Sequence, residues 1–466
     1  MRVAVLAIAR PTFDVAFAAD TAQIAVENLE SAGFTVVGNA ELCMDERSVE
    51  AALAFIGEDA IDALVVLQAS FADSSLAATA TRSAGVPVVL WAFPEDRTGG
   101  RLRLNSFCGI NLAGYTLTRM GRGYRWVHLA PDDPDAPEAV SRAVVSGPVE
   151  FVDAAPPSVD DIPDDLVAQA RIVVERLGET VVGRVGDTPD GFEPCAYEAG
   201  PLRATLGVQV EEVPLPELFS RSDAASASDI QDVRSRADAF LSGVDDVDQG
   251  ELERSLALNV GLASLIADRG WSGVATRCWP ETFTEFGGAA CTPMAMLAAD
   301  DTPGSCEADV YGNITGLVLQ WLAGSASFVA DLVHLDPLSN TGVFWHCGLA
   351  PFEFADAEAV PVATVHSNRL KPLLSEFPLK PGRVTLARFS QSRGEHRLVV
   401  GTAEMLRAPL AFSGTAGVAR FDSRVADVVD TILGEGLEHH YGLVYGDVSD
   451  ELRAIAAVLE IPVVEL

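Results

Sequence analysis

Carboxylates and imidazoles crowd two stretches of this 466-residue chain. The longer runs from Arg277 to Gly348 and holds Glu281, Glu285, Cys306-Glu307-Ala-Asp309, Asp331, His334, Asp336 and His346-Cys347-Gly348. The shorter is Glu438-His439-His440-Tyr441, close to the C-terminus. Oxygen donors mixed with imidazole nitrogen suit Mn²⁺, Co²⁺, Zn²⁺ or Fe²⁺, and a carboxylate-rich set favours Mn²⁺. Such an ion polarises substrate oxygens, and a carboxylate beside it moves protons. Each residue also has a plain structural reading. Glu307 precedes the helically spaced segment 314–322, where a carboxylate serves as a terminal charge or cap. Asp331 follows the small apolar strand Phe328-Val329-Ala330 and so falls at a strand's carboxyl end, where a turn aspartate fits as well. Neighbours in a strand point to opposite faces, so at most one of His439 and His440 faces a given site. His128, His366 and His396 stand apart from acidic partners and read as surface or structural residues.

Composition narrows the class. The chain carries 32 Lys+Arg against 67 Asp+Glu, a net charge of −35. That surface repels phosphate backbones and anionic lipid, which argues against nucleic-acid or membrane partners. With 48% hydrophobic and 21% charged residues, the chain builds large cores. No apolar run approaches the roughly 18–20 residues of a membrane span. The apolar run 3–9 is cut off by Arg10-Pro11, too soon for a signal-peptide core. Seven cysteines without a CxxC pair read as reduced thiols in a cytoplasmic protein. At roughly 100–200 residues per domain, the length calls for two to four domains.

The elements that must carry these residues divide into three textures. Residues 1–145 alternate apolar strands (3–8, 34–37, 63–67, 88–91) with helical stretches (17–32, 49–56, 74–84). That order predicts a doubly wound, mostly parallel sheet. No GxGxxG follows its first strand, so a dinucleotide site has no support. The strand-end loops Arg10-Pro-Thr-Phe-Asp14, Gln68-Ala-Ser-Phe71 and Trp91-Ala-Phe-Pro-Glu95 form a candidate functional edge. After a Pro/Asp-rich passage at 131–165, a second α/β domain is expected over 146–325, with strands at 180–184, 206–210 and 273–278 and long helices at 225–240 and 250–269. Residues 326–466 carry short β-type runs at 360–365, 383–389, 397–403 and 417–421, which predict an antiparallel, barrel-like domain.

The order Arg277-Cys-Trp-Pro-Glu281, Cys306-Glu307-Ala-Asp-Val-Tyr-Gly312, Phe328-Val-Ala-Asp331, His346-Cys-Gly348 and Glu438-His-His-Tyr441 resembles the L-fucose/L-arabinose isomerase superfamily. Ala9-Arg-Pro-Thr-Phe-Asp14 and Leu90-Trp-Ala-Phe-Pro-Glu95 with Thr98-Gly-Gly100 and Leu104-Asn105 look like its fucose-isomerase-like members. The resemblance implies a Mn²⁺-dependent (or Co²⁺-dependent) aldose–ketose isomerase acting through an enediolate or a hydride shift. Glu307 resembles the first metal-binding carboxylate and acid/base, Asp331 the second, and His440 the C-terminal metal histidine. His346 is similar to the additional metal histidine of the arabinose branch, whereas Asp at 331 follows the fucose branch. The substrate it implies is a deoxyhexose, a pentose or a sulfonated hexose such as sulfoquinovose, and its members are trimers or hexamers, so a homo-oligomer is implied. Loops 10–14 and 91–95 would then close a neighbouring subunit's site.

Substrate selection falls to other residues. Arg277 and Trp279 at a strand end, with Gln320 and Trp345, are candidates to line the sugar pocket, an arginine suiting an anionic substituent; Arg277 suits equally an ion pair with one of the many acidic residues. His439, Arg10 and Phe13 complete the expected substrate-binding set. Two other classes stay open on the residues alone: a non-catalytic sugar-binding protein, and a metal-dependent hydrolase using the same ligands to activate water.

Overall fold

The computed structural model describes residues 1–57, 60–147, 149, 151, 154–298 and 301–466. Four positions of the Pro/Asp-rich passage (148, 150, 152 and 153) lie outside the described residues. Three sheets follow one another along the chain. The first contains β1 (Arg2–Ile8), β2 (Thr35–Cys43), β3 (Ala63–Gln68), β4 (Val88–Ala92) and β5 (Arg125–His128), all parallel, in the order β2-β1-β3-β4-β5. Strand alternation explains its two covered faces. Val3, Val5 and Ala7 pack with helices Val15–Ser31 and Ala136–Val145. Ala4, Leu6 and Ile8 pack with helices Glu46–Ile56, Ser74–Thr81 and Ser106–Arg119. The strand order reverses between β1 and β3, and loops 9–14 and 69–73 leave the sheet on either side of that switch. Doubly wound sheets bind ligands at this place.

The second sheet repeats the plan with four parallel strands, β6 (Val181–Val185), β7 (Gln209–Val213), β8 (Gly273–Thr276) and β9 (Gly304–Ser305), in the order β7-β6-β8-β9. The strand expected over 273–278 ends at Thr276, which leaves Arg277-Cys278-Trp279 as a strand-end loop. The third sheet contains β10 (Phe328–Asp336), β11 (Thr341–His346), β12 (Val362–Thr364), β13 (Leu374–Pro378), β14 (Gly382–Ser390), β15 (Arg397–Leu406), β16 (Thr415–Phe421), β17 (His440–Tyr445) and β18 (Val463–Glu465). Six of these close on themselves as an antiparallel barrel, β16-β11-β10-β17-β14-β15, through the β15–β16 pairing. Two doubly wound α/β units followed by an antiparallel barrel is the expected fold class.

Helix Val310–Ala323 couples the second sheet to the barrel. Every residue from Val310 to Gln320 is buried, as a helix covered on all sides requires. Its Tyr311, Ile314, Val318 and Leu319 share one core with Val182 and Ala275 of the second sheet and with Ala387, Phe389 and Val444 of the barrel. Two local expectations are corrected. Asp331 does not end a strand, because β10 continues to Asp336 and Asp331 is paired on both sides. The thiols are not all reduced: the ends of neighbouring strands β8 and β9 bring Cys278 and Cys306 to a Cα separation of 5.8 Å, and they form a disulfide. In loop 91–95, Trp91 and Phe93 are buried against each other in the core of the first sheet. Among the described residues, no helix is long and apolar enough to cross a membrane.

Candidate active site

Barrel register brings the distant chemistry-bearing residues together. Asp331 on β10 lies directly opposite His440 on β17 and Trp345 on β11. Opposed residues of antiparallel strands project to the same side. His346 is the last residue of β11, and His439 sits one residue before β17. The alternation rule therefore does not separate the two histidines, and both rings face the site with centroids 4.1 Å apart. Glu307 arrives from the second domain, in the turn between β9 and helix Val310–Ala323. Glu307 and Ala308 hold left-handed backbone angles (φ 60° and 56°), a cost of order 1–3 kcal/mol each that persists only where surroundings enforce it. The helix cap is Asp309 rather than Glu307: its Oδ1 accepts the Gly312 N–H at 2.9 Å.

The groups converge closely. His439 Nε2 donates to Glu307 Oε2 at 3.1 Å, while His440 Nε2 lies 3.4 Å from Asp331 Oδ1 and 3.7 Å from Glu307 Oε2. The buried Cys195 thiol also donates to Glu307 Oε2, at 3.5 Å. Three buried atoms facing one another, Asp331 Oδ1, His346 Nε2 and His440 Nε2, have no hydrogen-bond partner. Unsatisfied buried polar atoms are costly, so their convergence fits a cation better than a packed core. Two overlapping sets, Cys195/Glu307/His439/His440 and Asp331/His346/His440, place one donor atom of every member within 4.8 Å of the others. These donor types match a divalent ion.

Charge and tautomer follow from the neighbours. Arg388, fully buried on β14, holds Asp309 with two bonds of 2.5 and 3.0 Å. Asp309 Oδ2 in turn takes the His440 Nδ1–H at 2.9 Å, which leaves the Nε2 lone pair directed at the carboxylates, the arrangement of a metal-ligating histidine. His346 is the reverse case. Its Nδ1 accepts the Cys347 backbone N–H at 2.9 Å, so in the neutral ring Nε2 carries the proton. Burial pushes the Glu307 carboxyl up, but the His439 bond and the three nearby imidazoles outweigh it and hold it below the usual range. Burial pushes Asp331 upward; His440 opposes that shift and Glu307 reinforces it. The two carboxyls are driven apart, the pattern of an acid/base pair.

Glu307, Asp331, His346 and His439 open onto a cleft. Of the expected sugar contacts, Arg10, Phe13, Trp279, Trp345 and His439 line it. Arg277 does not: it forms a two-bonded ion pair with Glu281 at 2.6 and 2.7 Å and faces a separate groove, along with Glu285. Gln320 is also outside, about 15 Å along its helix from Val310, bonded to the Asp301 carbonyl. His334 and Asp336 lie further along β10, beyond a bulge, and do not line the cleft. The 10–14 loop closes its own chain's cleft. Arg10 sits 4.3 Å over the Trp279 ring and pairs with Asp73 at 2.6 Å, and Phe13, Phe71, Phe192 and Trp279 pack in succession. His366, read from sequence as structural or superficial, lines the cleft too. Sequence reasoning gave no role to Cys195, Asn105, Arg369 or Arg388. Only Arg388 left a signal, a lone charge within the apolar run 384–389.

Residues 4–143 match the family described as fucose/sulfoquinovose isomerase, N-terminal domain. Curated relatives extend over the remainder. A sulfoquinovose isomerase of Alkalicoccus urumqiensis is 29% identical over 463 residues, covering 99% of this chain and 98% of its own. Sulfoquinovose isomerases of Priestia aryabhattai and Clostridium sp. (strain MSTE9) are each 28% identical, over 97% and 99% of this chain and 96% and 98% of their own. The chain is a relative of the fucose/sulfoquinovose isomerases. Those names support a sugar isomerase, an enzyme of the aldose–ketose class that the motif order implies.

The Arg388–Asp309–His440 chain rests on one fully buried ion pair. Arg388→Met leaves Asp309 buried without its cation, so denaturant unfolding should register a loss of about 3–5 kcal/mol. A loss under 1 kcal/mol would contradict the charge assignment.

Proposed function

We propose that this enzyme interconverts an open-chain aldose and its ketose by proton transfer between C1 and C2 through an enediolate, with Glu307 and Asp331 as the acid/base pair. The observation that carries the reading is the meeting of Glu307, Asp331 and His440 from three distant segments, with buried atoms left unsatisfied. The substrate we propose is a sulfonated hexose, in keeping with the relatives' names. Glu307, Asp331 and His440 would hold a divalent cation, and the predominance of carboxylates favours Mn²⁺. When bound there, such an ion supplies electrophilic polarisation of the substrate's carbonyl and hydroxyl oxygens.

The remaining roles belong to side chains. Glu307, held ionised by His439, takes the proton from carbon, and Asp331 on the opposite strand serves the oxygens and the return transfer. We assign His346 to hydrogen bonding rather than ligation: its Nε2–H points into the site and suits a sugar oxygen. Asn105, whose buried Oδ1 has no partner, accepts a sugar hydroxyl. The Phe71–Phe192–Trp279 wall covers an apolar sugar face and excludes water. The assembly proposed from the resemblance is a homo-oligomer, with each cleft closed by its own chain's 10–14 loop.

Glu307→Gln should lower turnover of a sulfonated hexose by about 10²–10⁴-fold, and the wild-type enzyme in D₂O should place solvent deuterium on the transferred carbon position. Full turnover by the variant, or product free of deuterium, overturns the proton-transfer roles. A second prediction follows from Asp331. Its carboxyl keeps its proton to a higher pH than an ordinary carboxyl, and a cation must expel that proton to bind. Calorimetry should therefore show Mn²⁺ affinity falling as pH drops from 8 to 6, with proton release growing over the same interval. Affinity that stays level to pH 5 contradicts it.

A further inference from the structure

A second feature of the cleft concerns cations rather than carboxylates. In a chain with 67 acidic residues against 32 basic ones, an arginine without a carboxylate partner stands out. Arg369 is one. It is half-buried in the cleft, makes no ion pair among the described residues, and experiences burial as the sole influence pulling its guanidinium down. Its guanidinium lies 5.3 Å from the centroid of the Trp279 ring, and the Arg10 guanidinium lies 4.3 Å from the same centroid. Arg10 feels Arg369 as a like charge. Asp73 answers Arg10 at 2.6 Å; among the described residues no carboxylate answers Arg369.

The two loops carrying these arginines are tied together. Arg101 donates from Nη2 to the Thr12 carbonyl at 2.9 Å and from Nε to Asn368 Oδ1 at 2.7 Å, joining the 10–14 loop of the first domain to the 366–370 turn of the third. That turn is braced from within: the Asn368 N–H donates to His366 Nδ1 at 3.1 Å, and the Arg369 N–H to the His366 carbonyl at 3.2 Å. Holding two like charges on one aromatic ring, with a third arginine spent on the brace, is unfavourable for the chain alone. It is what an arriving anion requires, because planar guanidinium forks match tetrahedral oxyanions and the cost of arranging them is met before binding.

We propose that Arg369, assisted by Arg10 and braced by Arg101, is the subsite that recognises a tetrahedral oxyanion at the far end of the sugar, and that it sets the enzyme's preference for anionic over neutral aldoses. The proposal rests on the isomerase reading above. It replaces Arg277, whose guanidinium is occupied by Glu281, as the arginine facing the substrate's charge. A sulfonate and a phosphate share this chemistry, and the test separates them.

The experiment measures kcat/KM of the Mn²⁺-loaded full-length enzyme for three sugars: a 6-sulfonated hexose, the corresponding 6-phosphate, and the neutral parent aldose. Arg369→Gln and Arg369→Lys are compared with wild type, with melting curves confirming that each is folded. A charged hydrogen bond lost in a cleft corresponds to roughly 10–100-fold. The ratio of kcat/KM for the anionic over the neutral sugar should fall by about that factor in Arg369→Gln, mainly through KM, and recover in part in Arg369→Lys. Dependence on Arg369 with the sulfonated sugar supports a sulfonate subsite, and stronger dependence with the 6-phosphate supports the same subsite for a phosphate. An unchanged ratio, with both sugars slowed equally or neither affected, overturns the proposal. So does a wild-type enzyme that prefers the neutral aldose. Failure of the isomerase reading itself looks different: no sugar turns over, or Glu307→Gln leaves turnover intact whatever Arg369 does.

Discussion

Two carboxylates and the His440 Nε2 lone pair, turned towards one another, cannot rest there without protons or a cation to balance them. The rest of the structure reads as the means of enforcing that crowding. The register of β10 with β17 and β11 sets Asp331 against His440 and Trp345. Left-handed backbone at Glu307 and Ala308 delivers the second carboxylate from another domain. Arg388 supplies a buried positive charge, spent on Asp309 so that Asp309 can hold the His440 ring in one orientation.

The cleft lies where three architectures meet. The first sheet contributes loops from both sides of its β1/β3 switch, and the second contributes the loop after β8 and the turn after β9. The barrel contributes the ends of β11 and β17. Helix Val310–Ala323, buried among the second sheet and the barrel, fixes the distance between Glu307 and the barrel residues. Neither α/β unit holds the chemistry by itself. The fold's contribution is relative position, and the aromatic succession from Phe13 to Trp279 continues it across the first and second domains.

Much of this was legible in the residues. Alternating apolar runs gave the doubly wound sheets, and the spacing of short β-type runs after residue 325 gave the barrel. Glu307, Asp331 and His440 were singled out by the motif order that resembles the isomerase superfamily, since among 67 acidic residues a carboxylate alone marks no site. What escaped depended on contacts between distant segments. Arg277 had two readings, a substrate contact and an ion pair with a nearby acid, and Glu281, four residues on, decides for the second; nothing near Arg369 announced an open cation. Rules of local geometry misled in one place: strand alternation separates His439 from His440 only if both lie in the strand, and β17 begins at the second. The disulfide escaped for a related reason, since 28 residues of sequence separate cysteines that neighbouring strand ends bring together.

The most direct examination is a crystal of the full-length enzyme grown with Mn²⁺ and measured for anomalous scattering. The account predicts a single manganese peak within coordinating distance of Glu307, Asp331 and His440 Nε2, with the His346 ring close by but not bound. A peak at other residues, or an empty centre at saturating Mn²⁺, would contradict it.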